Sequence, residues 1–287
     1  MSQLLRAQSA PVTSVQLQCP ACKAPVEARS EGPIICTKCQ ASFAVHGGIP
    51  SFLLKASNEN WVEYFEQVAL NTDSGKVSYA PGVAPHTEMQ FGLLKKAYAR
   101  ALTRWVKPGG VVLDVGCGHG QLLQGLDSQF QLVGLDYIGK VLPLARQNGY
   151  QPFQGDATAL PFADGQFDGV VCSEVLQHFT DPAPVVAELV RVCRPGGTIL
   201  ISTVNRASLL RSGLRAALSV FKPKVFQVPI LRRHAHEVAA AALGQPVKAH
   251  ETAWVLSPTP GVAFRPGAAS ALAPWSTNFI IGFRKTG

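Results

Sequence analysis

Val111-Val112-Leu113-Asp114-Val115-Gly116-Cys117-Gly118-His119-Gly120 decides the fold of this chain. Five residues, apolar apart from one Asp, form the kind of short run that fills a buried strand. The three glycines behind it let the backbone turn tightly and approach a ligand. The spacing predicts a strand over Val111–Val115, a turn, and a helix near 120–128. The alternation then continues. Gln131–Leu135 is a second apolar run with a helix near 140–147, Phe167–Cys172 a third with a helix near 183–193, and Thr198–Thr203 a fourth. Nearly all-apolar strands alternating with helices specify a parallel sheet covered on both faces, so the expected fold is α/β, Rossmann-like and doubly wound. Upstream, helical spacing is expected over 58–70 and again over 88–105, where Pro108-Gly109-Gly110 stops it. Past residue 204 the pattern weakens: helices are expected near 207–221 and 232–243, and strands at Thr252–Ser257 and Phe279–Arg284. No internal repeat is visible.

A glycine turn after a strand is by itself a weak nucleotide signal. Two carboxylates sharpen it. Asp136 ends the second run, where it can accept two hydrogen bonds from ribose hydroxyls. Asp156 lies in Gly155-Asp156-Ala157, where it can accept a hydrogen bond from an adenine amino group. A dinucleotide turn, Gly-x-Gly-x-x-Gly, would put the third glycine one residue later than it stands here.

Asp114–Gly120, Asp136, Gly155-Asp156-Ala157, Leu160-Pro161-Phe162, Phe167-Asp168 and Arg194-Pro195-Gly196-Gly197, in this order over residues 88–204, resemble the class I S-adenosylmethionine-dependent methyltransferases. The resemblance implies a mostly parallel sheet of seven strands. It also implies a cofactor set in which Asp114, Gly116, Cys117, Gly118 and Gly120 surround the methionine part, Asp136 with Tyr137 holds the ribose, Asp156 with Ala157 holds the adenine, and Ser173 borders the cofactor.

The third run leads into Ser173-Glu174-Val175-Leu176-Gln177-His178-Phe179. This is not the Asn/Asp-Pro-Pro-Tyr motif that grips exocyclic amines, and Cys172 is not preceded by the Pro of cytosine-carbon enzymes, so both nucleic-acid chemistries are weakened. Ser202-Thr203-Val204-Asn205-Arg206 resembles the ubiquinone-biosynthesis O-methyltransferases. Those enzymes have Glu and Glu-His, implicated in divalent-cation binding, at the positions of Glu174 and Gln177-His178. An amide at 177 is a poorer ligand for a hard cation. The expected catalytic residues are therefore Glu174 and His178, with His178 as a general base toward a small hydroxylated, apolar acceptor.

Cys19-Pro20-Ala21-Cys22 and Cys36-Thr37-Lys38-Cys39 are a strong metal signal. Two Cys-x-x-Cys pairs offer the four thiolates of a closed, structural Zn²⁺ site, which leaves no open position for catalysis. With Gly47-Gly48-Ile49-Pro50 and Ser51-Phe52-Leu53-Leu54, the segment resembles the small zinc-ribbon activator proteins of methyltransferases, a resemblance that implies a protein partner for the ribbon. The expected division is a ribbon over 14–54, a helical linker and cap over 55–107, and a catalytic domain over 108–287 with 205–246 as an acceptor cap or membrane-facing insert.

Charge supports a further division. Residues 1–200 carry 15 basic and 16 acidic side chains, while 201–287 carry 11 basic against only Glu237 and Glu251. Arg211 and Arg215 flank Leu210, Leu214, Leu218 and Phe221 in a basic amphipathic pattern. Such a pattern can cover the acceptor or lie on an anionic membrane surface. No segment reaches the ~18 apolar residues of a membrane span, and seven cysteines in this pattern fit a reducing compartment. The expected location is cytoplasmic, with peripheral contact at the inner membrane face. An RNA methyltransferase is the alternative reading. Against it, residues 14–55 set Lys23, Arg29, Lys38 and Lys55 against Glu27 and Glu31, and few aromatics interleave with the basic residues to stack bases.

Overall fold

The computed structural model describes residues 15–54, 88–204, 245–256, 261–264 and 276–286. The helices expected over 58–70, 207–221 and 232–243, and with them the basic stretch 206–233, lie outside the described residues.

The first 40 described residues fold into three two-residue hairpins: β1 (Leu17–Gln18) with β2 (Pro25–Val26), β3 (Ile34–Ile35) with β4 (Ser42–Phe43), and β5 (Val45–His46) with β6 (Ile49–Pro50). Each of the first two carries one cysteine pair in its turn, and the two turns are built alike. Lys23 N donates to Cys19 O at 2.8 Å, and Gln40 N to Cys36 O at 2.9 Å. Cys19 N reaches Ala24 O, and Cys36 N reaches Ala41 O, both at 2.8 Å. Lys23 and Gln40 both sit in the left-handed region, at φ 58° and 60°. The ribbon therefore holds a repeat that the sequence shows only as Cys-x-x-Cys-x-Ala, because the match lies in backbone conformation.

The second unit opens with α1 (Glu88–Trp105) and continues through β7 (Val111–Val115), β8 (Gln131–Asp136), a 3₁₀ turn at Gly139–Val141, α2 (Leu142–Gln147) and β9 (Tyr150–Gln154). β10 (Phe167–Ser173), a 3₁₀ turn at Leu176–His178, α3 (Ala183–Val192) and β11 (Cys193–Val204) follow, then β12 (Val247–Leu256), β13 (Gly261–Phe264) and β14 (Ser276–Lys285). The sheet order is β13-β12-β14-β11-β10-β7-β8-β9. β14 and β13 run against the other six. The fold is the expected doubly wound, mostly parallel α/β sheet, with β13 as an eighth strand beyond the seven.

Two local expectations are corrected. No helix forms near 120–128. The chain there makes successive turns, because Gly125 at φ 90° leaves helical space and Leu126, Gln129 and Phe130 close short turns onto Leu123 and Leu126. β9 is a strand that the pattern did not predict, since Tyr150-Gln151-Pro152-Phe153-Gln154 alternates and contains Pro. Proline is tolerated at a sheet edge, and β9 is the edge strand beside β8.

Alternation within the strands sorts the core into two faces. Val112, Leu132, Val171 and Leu200 point toward Leu94, Ala97, Tyr98 and Leu102 of α1. Leu113, Val133, Val170 and Ile199 point toward Val185, Val186 and Leu189 of α3 and toward Leu17, Phe43 and Phe52 of the ribbon. The ribbon thus shares one face of the sheet with α3. Phe43, Phe52, Phe153, Phe162 and Phe167 form a continuous row of rings, with successive centroids 5.1, 6.5, 5.4 and 5.1 Å apart. Among the described residues, no helix is long and apolar enough to cross a membrane.

Candidate active site

The candidate cofactor and acceptor residues lie at the carboxyl ends of β7, β8, β9 and β10. β7 is followed by β8 and β9 on one side, and β10 then returns to its other side, so the winding reverses between β7 and β10. A doubly wound sheet opens its ligand crevice at such a reversal.

After β7 the chain folds back on β8. Gly116 N and Cys117 N both donate to Leu135 O, at 2.7 and 3.1 Å. Gly116 is at φ 75°, and a Cβ there would lie 2.2 Å from Val175 Cγ2, so glycine alone allows the two loops of the crevice to touch. Gly120, at φ 74°, seats against the Tyr150 ring, where a Cβ would come within 2.8 Å of Cε2. Cys117 is buried, its Sγ against Gly134.

Asp114 is 1% exposed, below this loop, and its Oδ2 accepts the Tyr150 hydroxyl at 2.9 Å. Burial pushes its carboxyl up to about 7 against the opposing Tyr150 hydrogen bond, and the Asp136 charge adds to the rise. Its place is beneath the turn, as an anchor. Asp136 occupies the end of β8. Its Oδ2 accepts from Gly118 N and its Oδ1 from Ile138 N, both at 2.8 Å. Burial raises its pKa, while the amides of Ile138, Gly118 and Tyr137 work against that. Two amides fix the carboxylate, and each oxygen keeps a lone pair for a hydroxyl. Gly155 N donates to Asp136 O at 3.0 Å, which sets Asp156 beside it. Asp156 Oδ1 takes both the amide and the hydroxyl of Thr158 at 2.8 Å, and Ala157 is buried next to it.

Ser173 ends β10 with its Oγ 3.0 Å from Ser202 Oγ. Glu174 then takes φ 60° while its N donates to Ser202 O at 3.0 Å. A non-glycine residue held there is strained, and such strain concentrates at functional sites. It swings the chain into the 3₁₀ turn that carries His178. Burial drives the His178 imidazole down to about 4, opposed by the Glu174 charge and backbone. The ring is neutral at physiological pH and lies beside Glu174. Gln177 is 3% exposed, and its Oε1 accepts from Thr203 Oγ1 at 3.2 Å. Position 177 is therefore a core contact and adds no ligand beside Glu174 and His178.

Among the described residues, one group of three or more His, Cys, Asp or Glu side chains can hold a metal ion: Cys19, Cys22, Cys36 and Cys39, whose sulfurs lie within 4.8 Å of one another. Cys19–Cys39 and Cys22–Cys36 are each 3.6 Å apart, where tetrahedral ligation with ~2.3 Å bonds asks for about 3.8 Å. The amide of Cys39, followed by that of Lys38, draws the Cys36 thiol down to about 6 against its burial. The donor set and the geometry fit a metal.

Two residues escaped the sequence reading. Tyr150 supports both Asp114 and Gly120 but has no motif around it. Tyr98 of α1 is fully buried, with its hydroxyl beside Ser202 and Ser173. It reads as one more apolar-face residue at helical spacing.

A family model described as "Methyltransferase domain" matches residues 113–201. The chain is 30% identical over 189 residues to a ubiquinone biosynthesis O-methyltransferase of Methylococcus capsulatus, covering 62% of this chain and 77% of that protein. It is 37% identical over 98 residues to a probable tRNA methyltransferase 9B of Homo sapiens, covering 33% of this chain and 21% of that protein, so it spans about a fifth of that relative. The magnesium protoporphyrin IX methyltransferase of Synechocystis PCC 6803, solved with bound SAH, superposes with a TM-score of 0.55 at 16% identity, covering 79% of this chain and 96% of that one. That match shows the shared fold.

Proposed function

Because the chain belongs to the class I S-adenosylmethionine-dependent methyltransferases, we propose that it methylates an oxygen of a small hydroxylated, apolar acceptor of quinone, phenol or polyketide type by direct displacement. When bound, the cofactor supplies a methyl group activated on a sulfonium sulfur. Asp136 with Tyr137 receives the ribose hydroxyls, and Asp156 with Ala157 the adenine. The Gly116–Gly120 turn, held from below by Asp114 and Tyr150, lines the methionine part with Ser173 on its other side. Glu174 and His178 face the acceptor. His178, kept neutral by burial, accepts the hydroxyl proton as the oxygen–methyl bond forms, and Glu174 stabilises the imidazolium that results. The O-methyltransferase relative supports this substrate class. The observation that supports it is the strained Glu174 elbow, which leads from the end of β10 into the turn carrying His178, whose imidazole burial keeps neutral.

We propose further that the four cysteines hold a structural Zn²⁺, all of whose positions are filled by protein, in a ribbon spanning 14–54 ahead of a catalytic domain spanning 108–287.

The test is transfer of a labelled methyl group from cofactor to a panel of phenols and quinols, with His178→Ala in parallel. Near-normal turnover of His178→Ala with intact cofactor binding would remove the base. The similarity to the human tRNA methyltransferase favours a second reading, in which the basic residues past 200 hold RNA. Absence of tRNA affinity at low salt would remove it.

A further inference from the structure

The ribbon does not merely abut the catalytic domain. It touches the two loops assigned to the cofactor through two separate chains of hydrogen bonds. The first runs through Gln154. Phe52 N, just past β6, donates to Gln154 O at 2.7 Å, and Ser51 bridges the same residue in parallel. Gln154 Nε2 donates in turn to Tyr137 O at 2.9 Å. Its amide lies against Gly139, and Gln154 pairs in register with Asp136. One residue therefore holds the ribbon by its carbonyl and the Asp136–Gly139 loop by its side chain.

The second chain runs through Glu188. Gln18 N donates to Pro161 O at 2.9 Å and Ala163 N to Gln16 O at 3.0 Å, so β1 brackets the segment that follows Asp156. Leu160 N in that segment donates to Glu188 Oε2 at 2.7 Å, and the same oxygen receives Lys23 Nζ at 3.1 Å. Lys23 directly follows Cys22 and owes its place to the left-handed bend of the cysteine turn. Arg191 completes the junction, with donations to Glu188 Oε1 at 2.6 Å, Phe162 O at 2.7 Å and Leu160 O at 3.1 Å. A third tie closes the far end, where Arg146 of α2 donates to Gly47 O and Gly48 O, both at 2.8 Å.

Hairpins of two residues have almost no stability of their own. The positions of Gln16–Gln18, Lys23 and Phe52 therefore depend on the two cysteine turns being held together, which a metal bound by the four cysteines would do. We propose that the ribbon is a working part of the cofactor site: through the positioning residues Gln154 and Glu188 it fixes the loops bearing Asp136 and Asp156, so that metal loading of the four cysteines sets the affinity for S-adenosylmethionine. The inference rests on the placement of ribose at Asp136 and adenine at Asp156.

The experiment measures SAH dissociation constants of the full chain by calorimetry, metal-loaded and after chelation, with metal content and circular dichroism recorded for each sample. Chelation is expected to weaken binding about tenfold, and Gln154→Ala in the loaded chain about fivefold, the size of one net hydrogen bond. Gln154→Glu has the same shape but sets an acceptor against Tyr137 O, so it should be weaker than Gln154→Ala. A packing role alone would make it the milder change. Chelation should then add less to Gln154→Glu than to wild type. Unchanged affinity in both Gln154 variants overturns the proposal, as does unchanged affinity in a metal-free chain that keeps its fold. If chelation unfolds the protein, the Gln154 pair in the loaded chain decides. Asp136→Asn separates the two levels. Unchanged SAH binding in that variant means the site is misplaced, whereas weakened binding there with intact binding in the Gln154 variants means the site stands and the coupling fails.

Discussion

Gly116→Ala tests how closely the two loops of the crevice depend on each other. Gly116 is held at φ 75°, and an L-residue in that region costs roughly 1–2 kcal/mol. The added Cβ would also lie 2.2 Å from Val175 Cγ2, while Val175 Cβ and Cγ1 stand 3.6 and 3.9 Å away. Carbon atoms settle at about 3.5–4.0 Å, so the Glu174–His178 turn must retreat by more than about 1 Å, and overpacking of that kind costs a further ~1–3 kcal/mol. The single variant should lose about 2–5 kcal/mol in denaturant unfolding, the sum of those two costs. It should also lose turnover, because Val175 stands between Glu174 and His178. Val175→Ala deletes Cγ2 and leaves the remaining contact at an ordinary distance. In a double-mutant cycle Gly116→Ala/Val175→Ala should therefore regain the steric part, a coupling of roughly 1–3 kcal/mol, and keep the backbone part. Stabilities that simply add would refute the direct contact between the glycine turn and the elbow.

Tyr150→Phe removes the hydroxyl from buried Asp114 and should cost about 1.5–3 kcal/mol in unfolding free energy, as expected when a carboxylate loses its buried partner; an unchanged melting temperature would contradict this. Since Asp114 titrates at about 7 in the free protein, a bound cation should draw it into the ionised form. Cofactor binding at pH 7 should then release a fraction of a proton, seen as a dependence of binding heat on buffer ionisation enthalpy, and a buffer-independent heat would argue against it. His178 is depressed to about 4, so the unfolded chain takes up its proton first and this contribution to stability is lost as pH falls from about 6.5 to about 4, by at most ~3 kcal/mol. Asp114, raised by burial, acts with the opposite sign, its contribution being lost as pH rises through about 7. The His178 effect must therefore be read as the difference between wild type and His178→Gln, which share Asp114. A difference that does not change with pH would place His178 in solvent. Asp136→Asn should weaken SAH binding about tenfold or more, because the amide donates where both carboxylate oxygens accept from Gly118 and Ile138; equal affinity by calorimetry would unseat the ribose assignment.

The sequence by itself determined four of the five strands of the parallel core, the family, the four cysteines and the line of carboxylates from Asp114 to Asp156. Each is written in local chemistry: apolar runs of strand length, glycines where only glycine can turn, and cysteines at ligand spacing. β9 and the missing helix after Gly120 were misread because their outcome depends on neighbours. Proline is admitted at the edge beside β8, and Gly125 breaks a segment whose Leu123 is nonetheless buried. Only the tertiary structure decided the packing partners around the site. It placed Asp114 beneath the glycine turn on Tyr150, bonded buried Gln177 to Thr203, and drew Tyr98 to Ser173 and Ser202. It alone brought the ribbon against β9 and the loop behind Asp156, through contacts between residues more than a hundred positions apart. A pattern of residue types records what a segment prefers locally. Which buried partner satisfies each carboxylate, amide or ring is fixed when the layers close, because in a packed interior every polar atom must be matched by whichever neighbour the topology delivers.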